Sequence, residues 1–312
     1  MVASKRFAVI DLGSNTFHLI VFDLSQQKPD ILFRERISVK IGEGIEDGII
    51  TEAASARAIN TLFSFSEKIK EYNVIATKAI ATSAFRSAIN ANEFCWRVRI
   101  ECGIEIEIID GNREAQLIYQ GVREAVNLPV HNSLIVDIGG GSVEFILCNT
   151  EKILWKKSYE IGGIRLMKRF HKSEPIDVVQ IEHLYEFLDN ALSDLFEKIA
   201  YYQPKTLIGA SGAFESLVDI SSVKQGLPPL GKTNIESLLS IDDFLMICEE
   251  IVSKNYEERT NIPGLVTFRA EMIVVSCLLI KQVLKQGFEE IRTSAYALKE
   301  GMVSELLAEH RI

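Results

Sequence analysis

An α/β fold of two related halves is predicted by three features of this 312-residue chain. Apolar runs of strand type alternate with segments of helical periodicity. The stretch Leu134-Ile-Val-Asp-Ile-Gly-Gly-Gly-Ser-Val-Glu-Phe-Ile-Leu147 reads as strand, tight turn, strand, and Ala8-Val-Ile-Asp-Leu-Gly-Ser-Asn-Thr-Phe-His-Leu-Ile-Val-Phe22 repeats the pattern. Asp11 matches Asp137 and Gly13 matches Gly139, an offset of 126 residues, about the size of one domain.

Composition sets the bounds. With 47% hydrophobic and 25% charged residues the chain is of the soluble globular type, and its length suits two domains of roughly 100–200 residues. A net charge of −9 argues against broad nucleic-acid binding, which needs a basic surface, so an anionic substrate must meet local positive charge. The five cysteines are scattered without a C-x-x-C, which suggests neither a disulfide framework nor structural zinc and points to a reducing cytoplasm. Asp11 breaks the apolar run behind Lys5 and Arg6, so no signal segment is expected. The longest uncharged apolar run, residues 272–280, is too short to span a bilayer, and no membrane partner is expected.

In chain order, residues 7–22 form the first hairpin, in which the turn amides and the side chains of Ser14, Asn15 and Thr16 are candidate phosphate donors. A simple hairpin turn is the alternative. Because strand follows the glycine, the site is not a Rossmann loop, whose glycines open a helix. Residues 31–50 carry strand-like segments and the turn Gly42-Glu-Gly44. Residues 51–71 are predicted helical, with Thr51 as a cap. A strand over 75–80 leads into Ala81-Thr-Ser-Ala-Phe-Arg86, where Thr82, Ser83 and Arg86 suit an anion, an ordinary cap beside a solvated arginine being the alternative. Residues 104–109 alternate acid and isoleucine as a half-buried strand does. Asp110-Gly-Asn then starts a helix over 113–126 with Glu114 in its first turn, where a glutamate commonly just complements the helix dipole.

Beyond a short linker, 128–133, comes the second hairpin, and residues 152–160 are expected to make another strand pair. Arg165, Lys168, Arg169 and Lys172 then recur at helical spacing as one basic face, either a track for a polyanion or a solvated stripe. Residues 177–201 are expected as one amphipathic helix. Thr206–Val218 reads as strand, a Gly209-Ala-Ser211-Gly212 turn aimed at an anion or ribose, then helix. Gly226-Leu-Pro-Pro-Leu-Gly-Lys-Thr233 matches the P-loop expression in letters only, since two prolines remove amide donors that such a loop needs. Helices are predicted over 241–253, 269–286 and 297–309, with a short strand at 291–294. Arg269 is a candidate binding residue, an arginine facing solvent being the commoner case.

Together the two hairpins, the Glu114 helix start, Ala81-Thr-Ser-Ala-Phe-Arg86 and Gly209-Ala-Ser-Gly212 resemble the exopolyphosphatase and guanosine pentaphosphate phosphohydrolase (Ppx/GppA) family. The resemblance spans the chain and is carried most specifically by Asp137-Ile-Gly-Gly-Gly-Ser-x-Glu144 and Arg113-Glu-Ala-x-x-Ile-Tyr-x-Gly121. It implies two actin/hexokinase-like (ribonuclease H-like) domains, placed here at 1–126 and 127–312 with the last helix returning to the first, and an active site in the interdomain cleft. The chain is similar to the short form, without an added C-terminal helical domain.

The resemblance also implies site residues. Glu114 takes the catalytic position, Asp137 and Glu144 order magnesium and water, and Asp11 stands in the metal's outer shell. Phosphate binding falls on Gly13, Ser14, Asn15, Thr16, Gly139, Gly140, Gly141 and Ser142, with Arg86 and Asn90 nearby. His18 departs from the arginine common after the first loop, and Val143 from threonine. The expected reaction is hydrolysis of a terminal phosphoanhydride of inorganic polyphosphate or guanosine pentaphosphate. Gly209, Ser211, Gly212, Arg165, Lys168, Arg169 and Arg269 are further substrate contacts, Mg2+ is the cofactor and a homodimer is allowed. An ATP-binding sensor or a kinase on the same fold are the alternative functions.

Overall fold

The structure, a computed structural model, describes residues 5–24, 29–44, 48–230 and 234–310, and the chain divides into two units, Met1–Gly121 with Leu298–Ile312, and Val122–Ala297.

The first unit opens with β1 (Arg6–Leu12), β2 (Thr16–Asp23) and β3 (Asp30–Ser38), followed by α1 (Glu52–Glu71), β4 (Ala76–Ala81), α2 (Ser83–Ser87), α3 (Ala91–Cys102), β5 (Ile106–Ile108) and α4 (Gly111–Ala125). The sheet order is β3-β2-β1-β4-β5, with the first three strands antiparallel and β4 and β5 parallel to β1. Local chemistry sets the ends. Thr51 caps α1 by accepting from the Ala54 amide at 3.2 Å, and Gly103, at φ 69°, takes the left-handed turn that stops α3. Phe17, Phe85 and Phe94 pack successively, with tilted rings, in the core of the first unit.

The second unit contains β6 (Ser133–Ile138), β7 (Val143–Cys148), β8 (Ile153–Tyr159), α5 (Gly163–Phe170), α6 (Val178–Ala191), α7 (Ser193–Tyr202), β9 (Thr206–Ala210), α8 (Gly212–Lys224), β10 (Glu236–Leu239), α9 (Ile241–Ser253), α10 (Tyr256–Thr260), α11 (Ile273–Leu284) and β11 (Glu290–Ser294). Its sheet order is β10-β11-β9-β6-β7-β8. Read from the other edge, β8-β7-β6-β9-β11 repeats β3-β2-β1-β4-β5 in order and direction, and β10 adds an antiparallel edge. This is the ribonuclease H-like arrangement, present twice. The hairpins β1–β2 and β6–β7 are therefore topological equivalents.

The last helix, α12 (Leu298–His310), belongs to the first unit. A Cβ on Gly301 would overlap the Leu117 carbonyl oxygen, so α12 and α4 meet backbone to backbone, and Glu305 accepts from both Lys78 and Arg113. The division between the units falls inside α4, between Gly121 and Val122.

Other expectations are corrected. The strand pair expected over 152–160 is one strand, β8 (Ile153–Tyr159), because Asn149–Lys152 is the turn back from β7. Residues 177–201 break at Leu192 into α6 and α7. The helix expected from 269 starts at Ile273, after a 3-10 turn over Thr267–Arg269. Residues 45–47 of the expected 31–50 segment, and Gly231, Lys232 and Thr233 of the P-loop-like stretch, lie outside the described residues.

Candidate functional site

In the first hairpin, the Gly13 amide donates to the Thr16 carbonyl at 3.1 Å, and a Cβ on Gly13 would sit 3.1 Å from that same oxygen. Beyond it the loop carbonyls are tied off. Ser14 O accepts from the Gly42 amide at 2.9 Å, and Asn15 O accepts from Val39 and Lys40 at 3.0 and 2.8 Å. The amides of Ser14 and Asn15 donate to nothing among the described residues. Thr16 Oγ1 lies 3.3 Å from His18 Nε2.

Glu114 follows a local cap, in which Asp110 Oδ1 accepts from the Arg113 amide at 2.7 Å. Its carboxylate is buried, 6% exposed, and its Oε2 accepts from Arg86 Nη1 at 2.6 Å. Arg86 also donates to Ile109 O at 3.3 Å, so α2, the residue after β5 and the first turn of α4 are stitched together by one guanidinium. A solvated Arg86 is excluded. Asn90 is occupied differently from Arg86: its Oδ1 accepts from Ile50 N at 2.9 Å and its Nδ2 donates to Ile50 O at 3.0 Å, pairing with that residue's backbone as a strand would.

The second hairpin repeats the first with a different fastening. The Gly139 amide donates to Ser142 O at 2.9 Å. The carbonyls of Gly139, Gly140 and Gly141 accept from the amides of Gly163, Ile164 and Gly162 at 2.9, 2.9 and 3.1 Å, and Gly141 O accepts again from Arg165 Nε at 2.9 Å. A Cβ on Gly162 would lie 2.5 Å from backbone atoms of Gly140 and Gly141, so only glycine permits this approach. The amides of Gly140, Gly141 and Ser142 donate to no group among the described residues.

Behind this turn runs a row of polar side chains. Asp137 on β6 stands directly opposite Glu144 on β7, and Glu144 stands opposite Ser158 on β8. Ser158 Oγ donates to Glu144 Oε1 at 2.6 Å. Both carboxylates are buried, and residues opposed in an antiparallel pair project from the same face with Cβ atoms about 5 Å apart. Two like charges so placed repel unless a cation or proton intervenes. Among the described residues no three His, Cys, Asp or Glu side chains gather as a metal cage. A pair of carboxylates is nevertheless what Mg2+ uses when substrate phosphates and water complete its shell. In the first unit the equivalent row is Asp11, His18 and Arg36.

At the end of β9, Ser211 holds φ 95°, and its Oγ accepts from the Ile138 amide at 3.4 Å. Gly209 leaves room for the Phe214 ring, and Gly212 for the guanidinium of Arg269. Arg269 is buried, 7% exposed, rather than solvent-facing; it donates to Ser216 Oγ at 3.0 Å and pairs with Glu215. The predicted basic face is divided. Lys172 lies beyond the end of α5, Arg169 covers the rings of Phe170 and Phe187, and Arg165 turns back to Gly141 and Glu160. Sequence reasoning missed Ser158, Gly162 and Gly163 as parts of the site. Only the glycine pair left a signal, as two flexible residues placed where a helix begins.

Comparison with known proteins follows the same lines. The profile described as Ppx/GppA phosphatase family matches residues 20–310. Among solved structures, an exopolyphosphatase from Cytophaga hutchinsonii is 39% identical, with a TM-score of 0.94 over 98% of this chain and 99% of that one. A putative exopolyphosphatase of Haemophilus influenzae is 27% identical over 97% of this chain and 91% of its own length. A guanosine-5'-triphosphate,3'-diphosphate pyrophosphatase of Photobacterium profundum is 26% identical over 99% of this chain, which spans 60% of that longer relative.

Proposed function

The chain belongs to the Ppx/GppA phosphatase family, and from that premise we propose that it hydrolyses terminal phosphoanhydride bonds, releasing orthophosphate from inorganic polyphosphate or guanosine pentaphosphate. The observation that carries this reading is the second hairpin, where three consecutive amides without partners among the described residues adjoin a buried pair of carboxylates. Hydrogen-bond donors that are fixed beforehand suit a phosphoryl group, whose transfer is chiefly a matter of positioning and charge neutralisation.

The amides of Gly140, Gly141 and Ser142 take the phosphoryl oxygens, and those of Ser14 and Asn15 are the phosphate donors of the first hairpin. Glu114 orients the attacking water and accepts its proton, with Arg86 holding the carboxylate in one rotamer. Asp137 and Glu144 are the ligands for Mg2+, and Ser158 fixes the rotamer of Glu144. Bound there, Mg2+ supplies positive charge against the phosphate. Asp11 is at most an outer-shell group, since His18 faces it where Glu144 faces Asp137. Lys168 and Arg169 remain the candidates for contact with a longer polyanion, and Gly209, Ser211, Gly212 and Arg269 for the rest of the substrate.

The test is phosphate release from polyphosphate and from guanosine pentaphosphate, with and without Mg2+ and with no acceptor present. Release from either that is abolished in Glu114→Ala supports the reading. Tight nucleotide binding without release, or release only with an acceptor, refutes it.

A further inference from the structure

The four hydrogen bonds behind the second hairpin have a directional consequence. A trans peptide places its C=O and the following N–H on opposite sides. When Gly139 O, Gly140 O and Gly141 O point to the start of α5, the next amides, of Gly140, Gly141 and Ser142, are forced to the other side. Three N–H groups thus face one way, the concave arrangement that binds anions. Meanwhile the amides of Gly162, Gly163 and Ile164 are consumed by the loop, so the N-terminus of α5 has none of these left for an anion of its own.

We infer that Gly162 and Arg165 are positioning residues that set the orientation of the phosphate hairpin. Arg165 supplies a side chain to the fastening, through Nε to Gly141 O at 2.9 Å, and its Nη2 is steadied by Glu160 at 3.0 Å. Gly162 supplies the space, because any side chain there would meet Gly140 and Gly141. Arg165 therefore acts on the hairpin and not along a polyanion track. The inference rests on the proposed phosphohydrolase reading and assigns the device that turns its amides toward substrate.

The experiment uses the full chain and inorganic phosphate. Titration of wild type, followed by the amide signals of Gly140 and Gly141, establishes whether the hairpin binds phosphate at all, independently of hydrolysis. Arg165→Ala and Arg165→Lys are then compared with it, the lysine keeping the charge without the Nε–H. For both we expect phosphate affinity and kcat to fall roughly tenfold, the scale of one charge-assisted hydrogen bond. The kcat loss should be the same for short polyphosphate, long polyphosphate and guanosine pentaphosphate, with the melting temperature little changed. A loss that grows with chain length while phosphate affinity stays constant would place Arg165 on a track and overturn the inference, as would wild-type behaviour in both variants. If wild type binds phosphate but releases none from either substrate, the enzymatic reading fails while the hairpin assignment is still decided by the titrations.

Discussion

The two hairpins are built alike in strand order, in the leading glycine and in tied-off carbonyls, yet their polar rows carry opposite electrostatic problems. Asp11, His18 and Arg36 set an acid beside an imidazole and a guanidinium, a row that supplies its own compensating charge. Asp137, Glu144 and Ser158 set acid beside acid, with a hydroxyl donating to the second carboxylate. The same strand arrangement thus carries the same backbone turn twice with different side-chain chemistry. On the proposed reading the second copy is the metal site, and the first unit instead provides the water-activating Glu114.

The largest effect expected from that division is in Glu114→Gln. Its kcat should fall about 1,000-fold, within the range for a lost general base, while Mg2+ affinity measured by calorimetry stays unchanged. A changed metal affinity would blur the separation between the units. Next comes the pair Glu144→Gln and His18→Gln. The first should cost about 100-fold in activity and weaken Mg2+ binding, and the second should leave Mg2+ binding intact. Similar calorimetric curves for the two variants would break the comparison. Ser158→Ala should raise the Mg2+ dissociation constant about fivefold, on the scale of one hydrogen bond, and Ser158→Thr should restore it.

The smallest effect concerns acid stability of the first unit. The pKa of Glu305 is held below the ordinary glutamate value: burial, the largest single influence, pushes it up, but the hydrogen bonds and charges of Arg113 and Lys78 together outweigh that. A depressed carboxyl stabilises the fold above its unfolded pKa of about 4.3, and that contribution is lost as pH falls through the lower folded value. Melting temperatures from pH 6 down to pH 3 should therefore drop more steeply for wild type than for Glu305→Gln. Parallel curves would remove this ion pair from the account.

What was legible in the sequence was whatever is local. Each hairpin is an apolar run, a glycine turn and a second run, so the match of Asp11 to Asp137 needed no tertiary information. Glu114 in a first turn was visible as a position, but its burial and its pairing with Arg86 join residues 28 apart and could not be read. Ser158 meets Glu144 only because the turn at residues 149–152 fixes the register of β8 on β7. The stripe of Arg165, Lys168, Arg169 and Lys172 had helical spacing, but α5 stops at Phe170 and its first turn is occupied with the hairpin. Asn90 had the chemistry of a phosphate donor, and the backbone of Ile50, 40 residues away, takes both ends of its amide.

The helix α12 makes the first unit discontinuous, and this has a bearing on biosynthesis. Leu298–His310 leaves the ribosome only after all of Val122–Ala297, so the surface of α4 against which Gly301 packs must wait uncovered through that interval. All of Val122–Ala297 is synthesised before the first unit is complete, and that unit is closed by contacts of high sequence separation such as Gly301 on Leu117. The unit carrying the proposed catalytic glutamate therefore acquires its full set of native contacts only after all of the second unit has been synthesised.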